Sequence, residues 1–178
     1  NGKPVGTYSD NSIQFMFDEQ GNSGACEGNF VPSSANWDAI GPVTYTANFV
    51  VPSVCTLVST STVDFGTIPA GITVPGGGIP ATGAVAVQCN QGAPYTVYLD
   101  NGSHYSNPNR RMRRGTTGNN YLAYQLYKDS AHSTVWDATG GTTALNGLGG
   151  VNGTGTGTNQ TLTVYALIPG GTLVPTTA

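Results

Sequence analysis

Residues 1–17, NGKPVGTYSDNSIQFMF, read as a lead-in turn followed by a complete β-strand. Ile13, Phe15 and Phe17 fall on one face and Ser12, Gln14 and Met16 on the other, the period of two that marks a half-buried strand. Nothing ahead of this strand offers a sheet for it to close, while the strand and turn TLTVYALIPGG (161–171) is followed only by TLVPTTA. One strand is thus expected to be surplus at the front and wanting at the back. How the fold is completed, by the chain itself or by a partner, is the question on which function turns.

The chain has 178 residues, enough for one β-rich domain with a real core, or for one domain plus a fragment of a neighbour. Gly 26, abundant Thr, Asn, Ser and Val, and charged residues at only 8% make a strand-and-turn composition that supports long helices poorly. The expected class is all-β. A net charge of -3 gives no general attraction for nucleic acid or acidic membranes. From Ala138 to Ala178 there is no charged residue, so this stretch can meet another surface without desolvating charge. That pattern points to an extracellular assembly. No apolar run reaches 18 residues and Asn1-Gly2-Lys3-Pro4 does not begin a signal segment, so the expected form is a soluble, processed product or a cut piece.

Moving along the chain, residues 18–42 lack a sustained period and read as a linker or long loop, pinned by Phe30, Trp37 and Ile40. The strand VTYTANFVV (43–51) follows, broken by Pro52. In LVSTSTVDFG (57–66), Leu57, Val63 and Phe65 are core candidates, and the Gly/Pro-rich residues 66–83 read as a crossing loop. AVAVQC (84–89) is a strand. PYTVYLDNG (94–102) is another, alternating Tyr95, Val97 and Leu99 with Thr96, Tyr98 and Asp100 before a turn at Asp100-Asn101-Gly102. Residues 103–120 read as polar and turn-rich, and Arg110, Arg111, Arg113 and Arg114 around Met112 hold four of the six Lys and Arg. YLAYQLYKD (121–129) sets Leu122, Tyr124 and Leu126 against Tyr121, Ala123, Gln125 and Tyr127; with apolar area on both faces it is expected to be a central strand. A short strand is expected to reach Trp136, a Gly/Thr-rich loop to cover 147–160, and LTVYALIP (162–169), with Val164, to be the last strand. Seven or eight strands joined by Gly/Pro turns are the pattern of a β-sandwich. Its core candidates are Phe65, Tyr95, Val97, Leu99, Leu122, Tyr124, Leu126, Trp136 and Val164.

Chemistry-bearing constellations are sparse. The two histidines, His104 and His132, lie in polar loop contexts, and no nucleophile, base or acidic pair can be assembled around them, so no enzyme is expected. Asp64 and Asp100 read as backbone caps. Neither a metal nor another cofactor is expected, because carboxylates at calcium spacing and a zinc ligand set are both missing from the pattern. The Arg cluster suits oxyanions, but one or two Arg are expected to pair with Asp or cover apolar area with their stems while the others face solvent. Nucleic acid is not an expected partner, since no wider basic field surrounds the cluster. The tyrosines on the strands are read as packing, with a carbohydrate-binding or directly adhesive module as the alternative function.

Cys26, Cys55 and Cys89 allow one disulfide and one orphan. Cys55 and Cys89 both sit on strand-like segments that can be neighbours, and closing the 34-residue separation is worth about 4 kcal/mol in the chain-entropy view. Cys26 either has its partner in another part of the protein or is a buried free thiol.

An ordered set of motifs runs through this part of the chain: Cys55 through VDFG (63–66), VAVQC (85–89), PYTVYLDNG, RRMRR (110–114), YLAYQLYKD, VW (135–136) and VYALIPGG (164–171). It resembles the spore coat protein U domain, the subunit domain of archaic, Csu-type chaperone-usher pili, over about residues 43–178. The resemblance implies an incomplete immunoglobulin-like β-sandwich completed by a donated strand, first from a periplasmic chaperone, then from a neighbouring pilus subunit, with an outer-membrane usher during assembly. It also implies a Cys55–Cys89 disulfide and structural roles for Arg110 or its neighbours, Leu122 and Tyr124. Location would be the periplasm and then the cell-surface pilus. In the family the last strand is followed by a G-x-Y-x-D segment, and here GTYSDNSIQFMF (6–17) stands at the front instead. Residues 1–17 are therefore expected to close a preceding domain, as in a two-domain tip adhesin, with 18–42 a linker and 43–178 the pilin domain. The alternative is a permuted strand of the same domain.

Overall fold

In the computed structural model, residues 4–14, 44–116, 118–139 and 149–176 are described. Phe15, Met16, Phe17, Cys26, Phe30, Trp37 and Ile40 lie outside them. The described residues form nine strands and no helix: β1 Gly6–Gln14, β2 Thr44–Val51, β3 Cys55–Thr60, β4 Ile79–Cys89, β5 Pro94–Val97, β6 Arg110–Arg113, β7 Tyr121–Tyr127, β8 Val151–Thr154 and β9 Asn159–Ile168. The chain is all-β.

It divides into two compact units, Gly6–Val51 and Asn1–Val5 with Pro52–Ala178. The smaller unit contains the antiparallel pair β1–β2, from Gly6↔Val51 to Gln14↔Thr44, with a bulge between Asp10 and Ile13. Phe49 and Val50 of β2 are exposed.

The larger unit is an incomplete immunoglobulin-like sandwich. One sheet has the order β3-β4-β9-β7-β6, all antiparallel, and the facing sheet has only β5-β8. On β4 the side chains of Val85, Val87 and Cys89 are buried and on β9 those of Val164, Ala166 and Ile168, the alternation of strands with one face on a core. β5 and β8 cover one half of this face. There Tyr95, Ala93 and Trp136 close over Val85, Val87, Cys89 and Val164, with Val97, Leu99 and Leu126 packed alongside at partial burial. Trp136 is fully buried, donates Nε1–H to Val97 O at 2.8 Å, and receives its place from Trp136 N–H on Leu126 O at 2.9 Å. A second cluster, Val74, Leu122, Ile168 and Val174 with Phe65, Met112 and Tyr124 half-buried beside it, contains no residue of β5 or β8.

Several segments differ from the sequence reading. β4 begins at Ile79, inside the stretch read as a loop; Pro80 is tolerated because β3 stops at Thr60 opposite Val85 and leaves this end of β4 a single neighbour. RRMR forms the edge strand β6 rather than a turn-rich polar segment. β8 lies within the Gly/Thr run: a Cβ at Gly153 would collide with the Tyr95 ring and one at Gly155 with Asn90 O, so glycine is what lets this strand lie close to β5. The stretch before Trp136 is a single bridge, Tyr127↔Val135, and β5 ends at Val97. Leu57 is on the inner face opposite Val87 but is 66% exposed, because β5–β8 does not reach across to β3.

Candidate functional site: an open groove beside the sheet edge

β7 carries both walls' registration. Its alternation sends Leu122, Tyr124 and Leu126 to the inner face, and β6 runs antiparallel beside it with Met112 opposite Leu122 and Arg113 opposite Tyr121. The facing wall is the irregular segment 63–70. Val63 packs with Leu126 on the first core, the Phe65 and Tyr124 rings meet edge-on at 6.2 Å, and Ile68 joins Leu122 and Met112 on the second. The segment therefore runs along β7 in the opposite sense. It holds its shape locally: Asp64 Oδ1 accepts the Gly66 N–H at 2.8 Å.

Between the walls lies a groove of about 600 Å³, whose floor and sides are Val63, Phe65, Ile68, Met112, Leu122, Tyr124 and Leu126. One end is formed by Val174 and Pro175 with Arg113, Arg114 and Asn120. Residues 171–174 are laced to 71–74 by Gly71 N–H on Val174 O, Val74 N–H on Thr172 O and Val174 N–H on Ile72 O, all 2.8–2.9 Å, which keeps this end in place. Among the described residues β6 is the outermost strand of its sheet and its Met112 lines the groove, so there the core opening and an unpaired backbone edge coincide.

Arg110 anchors that edge. It is 1% exposed, with Nε and Nη2 donating to Asp100 O, Nη2 also to Leu99 O at 3.2 Å and Trp136 O at 2.9 Å, and Nη1 to Gln125 Oε1. Gln125, itself buried, donates Nε2–H to Pro108 O. Burial pushes the guanidinium down from its ordinary value, opposed by Tyr124, Asp137 and Asp100; an arginine remains charged nonetheless. Its acceptors are backbone carbonyls and the Gln125 amide, a third arrangement beside the Asp pairing and apolar cover that the sequence reading weighed. On the outer face Arg111 lies over the Tyr121 ring at 4.3 Å and donates Nε–H to His104 O.

Of the sequence-derived core residues, Tyr95, Leu122, Trp136 and Val164 are buried, whereas Phe65, Val97, Leu99, Tyr124 and Leu126 are half-buried. Phe65, Leu122, Tyr124 and Leu126 meet at the groove; the other five lie at the covered half. Cys55 and Cys89 are bonded as directly opposed residues of β3 and β4, Cα–Cα 4.1 Å. Asp100 Oδ1 caps Gly102 N–H at 3.0 Å. Met112, Ile68 and Val174 were missed as groove residues. The inward alternation of Met112 with Arg111 and Arg113 was the available signal.

No curated protein matches the chain. The Spore Coat Protein U domain model matches residues 42–178. That family is a structural one, associated with pilus-type and coat-type surface proteins. An all-β sandwich open at one edge and the match over most of its length agree: the chain belongs to the Spore Coat Protein U domain family.

Proposed function

We propose that this chain is a structural subunit of an adhesive surface pilus, built into the fibre by β-strand donation. The observation that carries the reading is the groove beside β6: an apolar core of about 600 Å³ left open next to an unpaired strand edge. A single extended segment answers both needs, since its backbone pairs with β6 while alternate side chains enter the groove. A periplasmic chaperone supplies that segment first, and a neighbouring subunit replaces it at the outer-membrane usher. The chain then resides in the cell-surface pilus, contributing to adhesion and biofilm formation by anchoring a tip adhesin.

In this reading residues 1–17 close a preceding domain. β1 pairs with β2, which lies within the residues matched to the family, and Val5 N–H donates to Gln91 O, so a permuted strand of the same domain is the second reading. The experiment is size-exclusion chromatography of the purified chain with and without its chaperone. Self-association alone and a monodisperse complex with chaperone are expected. A stable monomer that ignores the chaperone overturns the proposal.

A further inference from the structure

The groove has a polarity that its apolar lining does not use. The alternation that turns Met112 inward turns Arg113 outward with Tyr121 and brings Arg114, with Asn120, to the Leu122 end of the groove, while Leu126 marks the other end. Among the described residues Arg114 is not spent on a carboxylate: its Nη1 donates to Pro175 O at 3.0 Å. The sequence has no Asp or Glu between Asp100 and Asp129, a span that holds four Arg and Lys128. Among the described residues the groove's one carboxylate, Asp64, sits on the facing wall and is engaged by Gly66 N–H. One end is therefore cationic, with the Arg114 guanidinium turned to no anion among the described residues.

We propose that the groove selects a partner strand carrying an Asp or Glu that meets Arg114, placed just beyond its row of alternating apolar residues. The inference rests on the strand-acceptor reading above and adds the partner's chemistry to it. Apolar side chains at i, i+2 and i+4 match the Leu126, Tyr124 and Leu122 levels, spaced by roughly 7 Å per pair of residues, which puts the carboxylate at about i+6. The guanidinium fork matches a carboxylate in shape as well as sign. The consequence is register. A one-residue slip turns the apolar row out of the groove and is rejected by that alone. A two-residue slip keeps the row facing in, and only the charge at the end distinguishes it from the correct pairing.

The test is fluorescence anisotropy with the full chain and three synthetic twelve-residue peptides. All share the alternating apolar row and differ only in carrying Asp, Asn or Lys at the i+6 position. At low salt the Asp peptide is expected to bind about two- to fivefold more tightly than the Asn peptide, and the Lys peptide more weakly than either. The Asp advantage over Asn should vanish in the Arg114→Gln variant and persist in the Arg114→Lys variant. Equal binding of all three peptides would overturn the charge selection and leave the groove as a strand acceptor. Failure of every peptide to bind would overturn both.

Discussion

Arg110 joins four parts of the sandwich through one side chain: the turn after β5 by Leu99 O and Asp100 O, the strand end at Trp136 O, β7 by Gln125, and its own strand β6. Removing it strands several buried acceptors at once, so Arg110→Ala is expected to cost about 2–4 kcal/mol in urea unfolding, whereas exposed Arg114→Gln should stay within about 0.5 kcal/mol. Arg110→Lys should recover little, because an ammonium cannot span those acceptors. Equal effects at 110 and 114 would remove Arg110 from this role. The run RRMRR gave no hint of which arginine turns inward, since four like charges among turn residues fit a solvated loop as well as an edge strand. Asp129 is a second residue with a measurable role. Its carboxylate is held below the usual range by the Ser133 N–H first, with Thr134 N–H and the Ser133 hydroxyl adding to it. A depressed folded value stabilises the turn above the unfolded value of about 3.9 and loses that contribution as pH falls through the folded value. The melting temperature of Asp129→Asn should therefore lie below wild type at neutral pH, with the gap closing in acid; a pH-independent gap would contradict this.

Among the elements, β4, β7 and β9 were legible because each repeats apolar side chains at every second position over a buried face. β8 was not, because its Gly153 is set by close approach to the Tyr95 ring and carries no pattern. β3 misled in a different way: its Leu57 reads as a core candidate, yet all of Cys55–Thr60 is exposed, since the facing sheet ends before reaching it. Leu122→Ala should cost about 2–5 kcal/mol and Leu57→Ala within about 0.5 kcal/mol, so similar losses would refute the assigned burial. The disulfide ties this exposed edge strand to β4. Replacing both Cys55 and Cys89 by Ser should lower stability by about 4 kcal/mol for the 34-residue separation, read as the shift in urea midpoint at unchanged slope.

On the scale of the whole molecule, the sandwich is closed over Trp136 and open over Leu122. The alternation of a β-sandwich was legible in the sequence, but the place of the opening became visible only when segment 63–70, β6 and residues 174–175 came together around the groove. Sequence separation hides that meeting, because each contributes two or three apolar residues and none is periodic enough to stand out. The account's central claim is that this opening accepts a strand. Amide hydrogen exchange of the purified chain, with and without a peptide bearing the alternating apolar row, tests it most directly. The account predicts that the peptide slows exchange at the amides of Arg110–Arg113 and of residues 63–68 and raises the melting temperature. Unchanged exchange at both places, with the peptide bound elsewhere or not at all, would contradict it.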